Sequence, residues 1–240
     1  MRDIKPYTNT DNKKKQIITM FNNIANKYDF LNHLLSFRMD IIWRKIAIKK
    51  IKNNPKKILD IATGTADLAI TAAKYTDAII TGIDISKKML DIGKEKILNK
   101  QLSDRITLQL ADAEKLPFNN NSFHAITAGF GVRNFEDIDT GLLEMHRVLD
   151  TNGILIILEP SKPTLFPIKQ LFNFYFTFIL PVIGKMVSKD INAYKYLTNS
   201  VKAFPSKEFF VDKLKKNGFK NCTYSELTFG IVTLYIAEKN

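Results

Sequence analysis

The sequence predicts an α/β protein: a seven-stranded, mostly parallel sheet with helices on both faces, a helical cap at the N-terminus and an antiparallel hairpin at the C-terminus. Three observations predict it. Between residues 56 and 160, short apolar runs alternate with helical patterns, the order that produces parallel βαβ units with right-handed crossovers. The last two strand-like runs, 220–228 and 231–239, stand too close for a crossover and therefore pair antiparallel. Residues 12–50 read as helix, with no Pro or Gly from Tyr7 to Lys52.

The elements follow in order. KKILDIA (56–62) is a buried strand and ADLAITAAKY (66–75) an Ala-rich helix. AIITGIDI (78–85) is the second strand; SKKMLDIGKEKILNK (86–100) is a helix with Ser86 at its N-cap, where a hydroxyl accepts a free backbone N–H. RITLQLAD (105–112) and FHAITAGFG (123–131) are further strands, DIDTGLLEMHRVLD (137–150) an amphipathic helix and GILIILEP (153–160) an apolar strand. After a long insert, SKEFFVDKLKKNGF (206–219) is a helix stopped by Gly218. The whole reads as one domain, 1–240, with a helical cap over 1–52 and an insert, 163–205, covering a substrate site.

Composition narrows the function classes. Cys222 is the only cysteine, so no internal disulfide forms and no cysteine cluster holds a metal; the chain suits a reducing compartment. The net charge is +12, yet only six of the 36 basic residues are arginine. Nucleic acid, an anionic membrane surface, or a coding genome drifting toward Lys, Asn and Ile each account for this charge. Scarcity of arginine, the residue suited to forked phosphate contacts, argues against nucleic acid. The runs KKK (13–15) and KKIKNNPKK (49–57) read as solvated helix ends and loops. No apolar signal region opens the sequence. The most apolar stretch, 170–184, has 15 uncharged residues interrupted by Pro181, short of the roughly 20 a spanning helix needs. The expectation is a cytoplasmic protein that touches the membrane peripherally.

In an open α/β sheet, ligands sit beyond the carboxyl ends of the strands. Four segments deliver side chains there: the loop 60–67, Asp84 after the second strand, Asp112 with Ala113 after the third, and Gly129 to Asn134 after the fourth. Asp60 and Asp67 also suit helix caps, and Asp84 and Asp112 exposed turns. A dinucleotide fingerprint would place glycine at Ala62, Gly64 and Ala66, and only the middle one is glycine. A pyrophosphate favours glycine amides without nearby anions. Three acids at successive strand ends suit a cationic cofactor without phosphate, and S-adenosylmethionine is one. A parallel sheet closed by a hairpin is also the layout of the methyltransferases that use it.

Five segments then resemble one family over almost the whole chain, the ubiquinone/menaquinone-biosynthesis C-methyltransferases. They are MFNNIANKYDFLNHLLSFRMDIIWRK (20–45), ILDIATGTADL (58–68), GIDISKKMLDIGKEK (82–96), ADAEKLPFNNNSFHAITAGFGVRNFED (111–137) and EMHRVLDTNGILIILEPSKP (144–163). Leu-Pro-Phe, Phe-Gly-x-Arg-Asn and the N-terminal motif are the specific ones; many methyltransferases share the loop. The resemblance implies a class I, Rossmann-like fold and methylation of a ring carbon of demethylmenaquinol, giving menaquinol. It implies cofactor contacts at Thr65, Asp84, Asp112 and Ala113; Asp60 and Gly64, in the same loop, are expected to join them, and Tyr28, Asn32 and Phe130 to line the substrate pocket. Gly129 stands where the family often has serine, and Thr63 and Ala66 where many members have glycine.

Ring methylation needs alignment with an already electrophilic methyl, and a ring carbon enriched by loss of the neighbouring hydroxyl proton. Arg133 is the expected holder of the developing phenolate, Asn134 its orienting partner and His33 the base nearest the pocket, with water the alternative acceptor. A structural salt bridge is the competing reading for Arg133. His124 lies at the wrong end of its strand, and His146 is mid-helix. No metal is expected. The expected partners are a polyprenylated quinol and a membrane surface, with no nucleic acid; a homodimer is allowed for. Rival functions are a dual enzyme that also methylates the 2-polyprenyl-6-methoxy-1,4-benzoquinol precursor, a methyltransferase acting on RNA, a non-catalytic assembly subunit that binds the cofactor, and a nicotinamide oxidoreductase.

Overall fold

Residues 12–50 form two helices. The computed structural model, which describes residues 4–8, 10–179, 191–205 and 207–240, places α1 at Lys13–Leu35 and α2 at Met39–Ile48. Asn12 caps α1 by accepting the N–H of Lys15 at 3.0 Å. The break needs neither Pro nor Gly, because Phe37 and Arg38 themselves adopt left-handed φ values of 51° and 61°. Such a turn costs about 1 kcal/mol or more per residue. Asp40 offsets it by accepting from the Ser36 hydroxyl at 2.7 Å, facing His33 Nδ1 at 2.8 Å and pairing with Arg44.

The sheet contains β1 (Lys57–Ile61), β2 (Ile79–Asp84), β3 (Ile106–Leu110), β4 (Phe123–Gly129), β5 (Leu149–Pro160), β6 (Lys220–Leu227) and β7 (Val232–Glu238), in the order β3-β2-β1-β4-β5-β7-β6. The first five are parallel, with Ile58 opposite Ile80 on one side and Ala125 on the other. Strand β7 enters antiparallel to β5, Ile156 facing Ile236, and β6 pairs antiparallel outside it. Strand β5 starts at Leu149, four residues earlier than its apolar run, because Leu149 already pairs with Phe123 across a bulge.

Helices α3 (Asp67–Tyr75), α4 (Lys87–Asn99), α5 (Ile138–Val148) and α8 (Glu208–Lys216) connect the strands. Ser86 caps α4 by accepting the N–H of Met89. Strand periodicity divides the core: Ile58 and Ile80 pack with Ala69, Ala72 and Ile97, whereas Leu59 and Ile83, at positions of opposite parity in the same strands, pack with Leu142, Phe210 and Leu214. Alternate side chains point to opposite faces, so both faces of the parallel strands are covered by helices.

The insert contributes α6 (Ile168–Phe174), a π-turn at Tyr175–Ile179 and α7 (Ile191–Ala203). The apolar stretch 170–184 is described as far as Ile179; Pro181 and the remainder lie outside the described residues. Among the described residues no helix is long and apolar enough to cross a membrane. The reversal of strand order between β1 and β4 opens a crevice at their carboxyl ends, where an open α/β sheet binds its ligand.

Candidate active site

The loop after β1 runs through left-handed residues at Ala62, Gly64 and Ala66, with φ of 52°, 56° and 68°. These are the three positions where a glycine fingerprint would fall. The backbone keeps the glycine-like course with alanine at two of them, each straining the chain by roughly 1–2 kcal/mol. Hydrogen bonds hold it: Thr63 N–H to Ile83 O, Ala66 N–H to Thr63 O and Gly64 N–H to Asp84 Oδ2, all at 2.9 Å. Gly82 makes room for Thr63, whose Oγ1 would lie 2.9 Å from a Cβ added there.

Two cavities meet above this loop. The first holds about 690 Å³ of empty space counting its open side, and Gly64, Asp84, Asp112, Ala113 and Gly129 all line it. Asp84 accepts two backbone N–H groups, from Gly64 at 2.9 Å and Ser86 at 2.8 Å. Burial nevertheless raises its carboxyl to about 6, the amides working in the opposite direction. Asp112 accepts the Glu114 N–H at 2.9 Å and pairs with Lys14 at 2.7 Å. Gly129 presents only backbone; a side chain there would lie 3.1 Å from Leu68. Four carboxylates, Asp84, Asp112, Glu114 and Glu136, and one ammonium, Lys14, line this cavity, the last three acids lying within 4 Å of Lys14. That donor set fits a cation and repels a phosphate, and Gly64 exposes backbone to the cavity with only Tyr28 in reach, 3.9 Å from an added Cβ. The residues present therefore fit S-adenosylmethionine, with carboxylates available to hydroxyl and ammonium donors.

The second cavity, about 1160 Å³ of empty space with its open side, is mainly apolar and is lined from α1, α2, the π-turn after α6, α7, the loop after β4 and the ends of β5 and β7. Phe21, Tyr28, Phe130 and Asn134 face both cavities and form the wall between them. Asn32 lines the second cavity beside Tyr28. Burial raises the Tyr28 phenol above its ordinary value, with Asn32 opposing. Arg133 lines the second cavity and ion-pairs with the fully buried Glu159 at 2.8 Å, a second nitrogen-to-oxygen contact reaching Phe130 O. Burial raises the Glu159 carboxyl, opposed by the Arg133 charge. Arg133 Nε and Asn134 Oδ1 are buried without a hydrogen-bond partner, and buried polar atoms are ordinarily satisfied. A donor and an acceptor thus stand ready at the junction of the cavities.

Three expected site residues sit elsewhere. Asp60 lines neither cavity: its carboxylate accepts the Thr63 and Thr127 hydroxyls at 2.6 Å each, and burial raises it to about 6 against those bonds. It holds the start of the loop to β4. Thr65 is also turned away from the cavities, its hydroxyl 2.5 Å from Asp29 Oδ1 and 3.3 Å from Lys96 Nζ. His33 lines neither cavity either; Asp40 stands on the cavity wall with His33 behind it. In this arrangement His33 meets the cavity wall through Asp40 rather than directly. His33, Asp40 and Asp67 bring possible ligand atoms within 4.8 Å of one another, but Arg44 already pairs with both acids.

Several site residues escaped the sequence reading. Lys14 belongs to a run read as solvated, yet it bridges Asp112, Glu114 and Glu136 at 2.7, 3.3 and 3.9 Å. Asp40, Arg44 and Trp43 lie in the N-terminal motif but were given no task there. Trp43 donates from Nε1 to Thr228 Oγ1 at 2.8 Å and packs edge-on against Phe130. A helical projection of 13–45 would have placed Lys14, Phe21 and Tyr28 on one stripe, seven residues apart.

Known proteins share this layout. The profile of the ubiE/COQ5 methyltransferase family matches residues 9–239. A demethylmenaquinone methyltransferase of Bacteroides fragilis is 46% identical over 238 residues, 98% of this chain and 97% of that protein. A ubiquinone/menaquinone biosynthesis C-methyltransferase of Geotalea daltonii is 47% identical over 230 residues, 95% of this chain and 97% of that protein. Among solved structures, an S-adenosylmethionine-dependent methyltransferase of Thermotoga maritima superposes with a TM-score of 0.66 at 18% identity, covering 92% of this chain and 99% of that one.

Proposed function

The chain belongs to the ubiE/COQ5 methyltransferase family, and from that premise we propose that it transfers a methyl group from S-adenosylmethionine to a ring carbon of demethylmenaquinol, giving menaquinol. The observation that carries this reading is the pair of cavities, one rimmed by acids and one apolar, divided by Phe21, Tyr28, Phe130 and Asn134. A cationic cofactor and a greasy ring can meet there across a wall one side chain thick.

In this reading Asp84 accepts the cofactor's ribose hydroxyls, Asp112 and Ala113 take the adenine, and the Gly64 backbone lies along the cofactor. Asp60 and Thr65 act one step removed, by fixing the loop. When bound, S-adenosylmethionine supplies a methyl group already activated on a cationic sulfur. The chain's own part is to align the ring and increase its electron density. Arg133, held by Glu159, directs its unpartnered Nε–H at the ring oxygen and favours the phenolate. Asn134 orients the same region, and Tyr28 with Asn32 lines the ring's face beside Phe130. The helical cap (1–52) and the insert (163–205) cover the substrate and exclude water. The prenyl chain of the quinol brings the enzyme to the cytoplasmic face of the membrane as a peripheral protein, and the +12 charge assists that approach.

A second reading, favoured by the Geotalea relative's name, is that the same pocket also methylates 2-polyprenyl-6-methoxy-1,4-benzoquinol. The test is product mass after incubation with methyl-labelled S-adenosylmethionine and each quinol. One methyl on demethylmenaquinol is the expected result, and one on both quinols supports the dual reading. Binding of cofactor with no methyl on either would overturn the proposal in favour of an assembly subunit.

A further inference from the structure

Of the eighteen large apolar side chains exposed among the described residues, eleven lie in two short segments, 30–42 and 165–179. Phe30 and Leu34 share one stripe at the end of α1 and Phe37 is exposed in the turn that follows; Leu171, Phe174 and Phe178 recur at helical spacing along α6 and the turn after it. Exposure is high: Phe37 is 78% and Phe174 55% accessible. The two segments adjoin, since Tyr175 donates its hydroxyl to Leu35 O at 2.9 Å and its ring lies 6.3 Å from that of Phe37. Leu35 and Tyr175 also line the apolar cavity. The greasy surface is therefore continuous with that cavity's wall.

Charge selects what covers it. Residues 30–45 contain one acid, Asp40, which is 3% exposed and paired with Arg44; residues 160–179 contain none. The same segments carry Arg38, Lys45, Lys162 and Lys169, all exposed. A two-fold contact with a second copy would set these cations against themselves. An apolar leaflet beneath anionic headgroups satisfies both features, with aromatic rings at the interface and cations among the phosphates.

We propose that the corner between α1 and α2, together with α6 and its following turn, is the surface by which this protein docks on an anionic bilayer, placing the mouth of the apolar cavity against the leaflet. The proposal rests on the reading that the substrate is prenylated. Its test is co-sedimentation with phosphatidylglycerol-containing vesicles and with phosphatidylcholine vesicles, at low and high salt. The wild-type chain is expected to partition onto the anionic vesicles, less so at high salt. The doubles Phe37→Ser/Phe174→Ser and Arg38→Glu/Lys169→Glu are each expected to lower that partitioning about tenfold or more, while leaving the circular dichroism spectrum and cofactor binding unchanged.

Turnover of a short-chain, water-dispersed demethylmenaquinol separates the two readings. Patch-dependent vesicle binding without turnover would leave docking standing and remove the substrate; turnover with equal vesicle binding by all variants would remove the docking surface. Sedimentation without vesicles closes the last route: a dimer that Phe37→Ser/Phe174→Ser dissociates would assign the surface to self-association and overturn the proposal.

Discussion

Lowering the pH should release the cofactor through one residue, Asp84. Its carboxyl lies on the acid-rimmed cavity with two backbone amides already donating to it, and burial raises it to about 6. Only the ionised form can accept both hydroxyls of a ribose, so a proton on Asp84 competes with the cofactor. The sign follows: affinity is full above about pH 7 and falls as pH drops through 6. At pH 5 roughly one site in ten is ionised, so the apparent Kd rises about tenfold over its value at pH 8. Asp84→Asn removes the charge-assisted acceptance, worth about 1.5–3 kcal/mol, and should weaken binding by roughly 10–100-fold at pH 8 with a flat profile below. Isothermal calorimetry with S-adenosylmethionine from pH 8 to 5, on both proteins, reads this directly. A wild-type Kd that is flat over the range refutes the placement of the ribose on Asp84. A pH dependence that persists in the Asn variant moves the assignment to another acid of the rim.

Three further outcomes follow from the same structure. Asp60, raised to about 6 by burial, favours the protonated fold, so its contribution is present near pH 4 and is lost as pH rises through 6, leaving a cost of roughly 3 kcal/mol at pH 8; in urea unfolding, Asp60→Asn should gain stability relative to wild type at pH 8 and lose that advantage at pH 4, and a difference independent of pH would refute it. Gly131→Ala brings a Cβ to 2.4 Å from the Ala62 Cβ, so the loop must shift; destabilisation of about 1–3 kcal/mol and weaker cofactor binding are expected, and unchanged calorimetry would show that the loop yields freely. Arg133→Lys keeps the charge, and a single nitrogen (Nη1) already serves both Glu159 and Phe130 O, but it loses the buried, unpartnered Nε–H, so kcat for ring methylation should fall about 100-fold with cofactor affinity retained; an unchanged kcat would leave Arg133 a structural ion pair only.

The strands, their parallel order and the closing hairpin were legible because a doubly covered sheet imposes continuous apolar runs and short turns impose the direction of the next strand. The cap on α4 was legible too, since Ser86 acts on its own neighbour. Long-range partners were not. Thr65 is expected at the cofactor through the family resemblance, and its bond to Asp29, on a helix 36 residues earlier, is a contact that no local pattern shows. Asp60 sits at the end of a strand whose alternation reveals two faces but not which one holds the hydroxyls of Thr63 and Thr127. The break after α1 follows from the resemblance of 20–45 to a helix pair but has no local Pro or Gly to mark it: Phe37 and Arg38 adopt left-handed conformations that their side chains disfavour, and Asp40 offsets the strain from the next helix. Lys14 stands in a plain run of three lysines, and only the fold sets it among Asp112, Glu114 and Glu136.

The wall between the cavities has a bearing on how such an enzyme can change over generations. Phe21, Tyr28, Phe130 and Asn134 each present one side to the acids and the other to the apolar cavity. A mutation accepted there because it admits a different ring is also a mutation of the cofactor site, and selection judges both effects at once. Drift in ring preference should therefore accumulate on the outer lining, among residues such as Leu31, Phe176 and Leu197 that face only one cavity, while the partition itself stays nearly still.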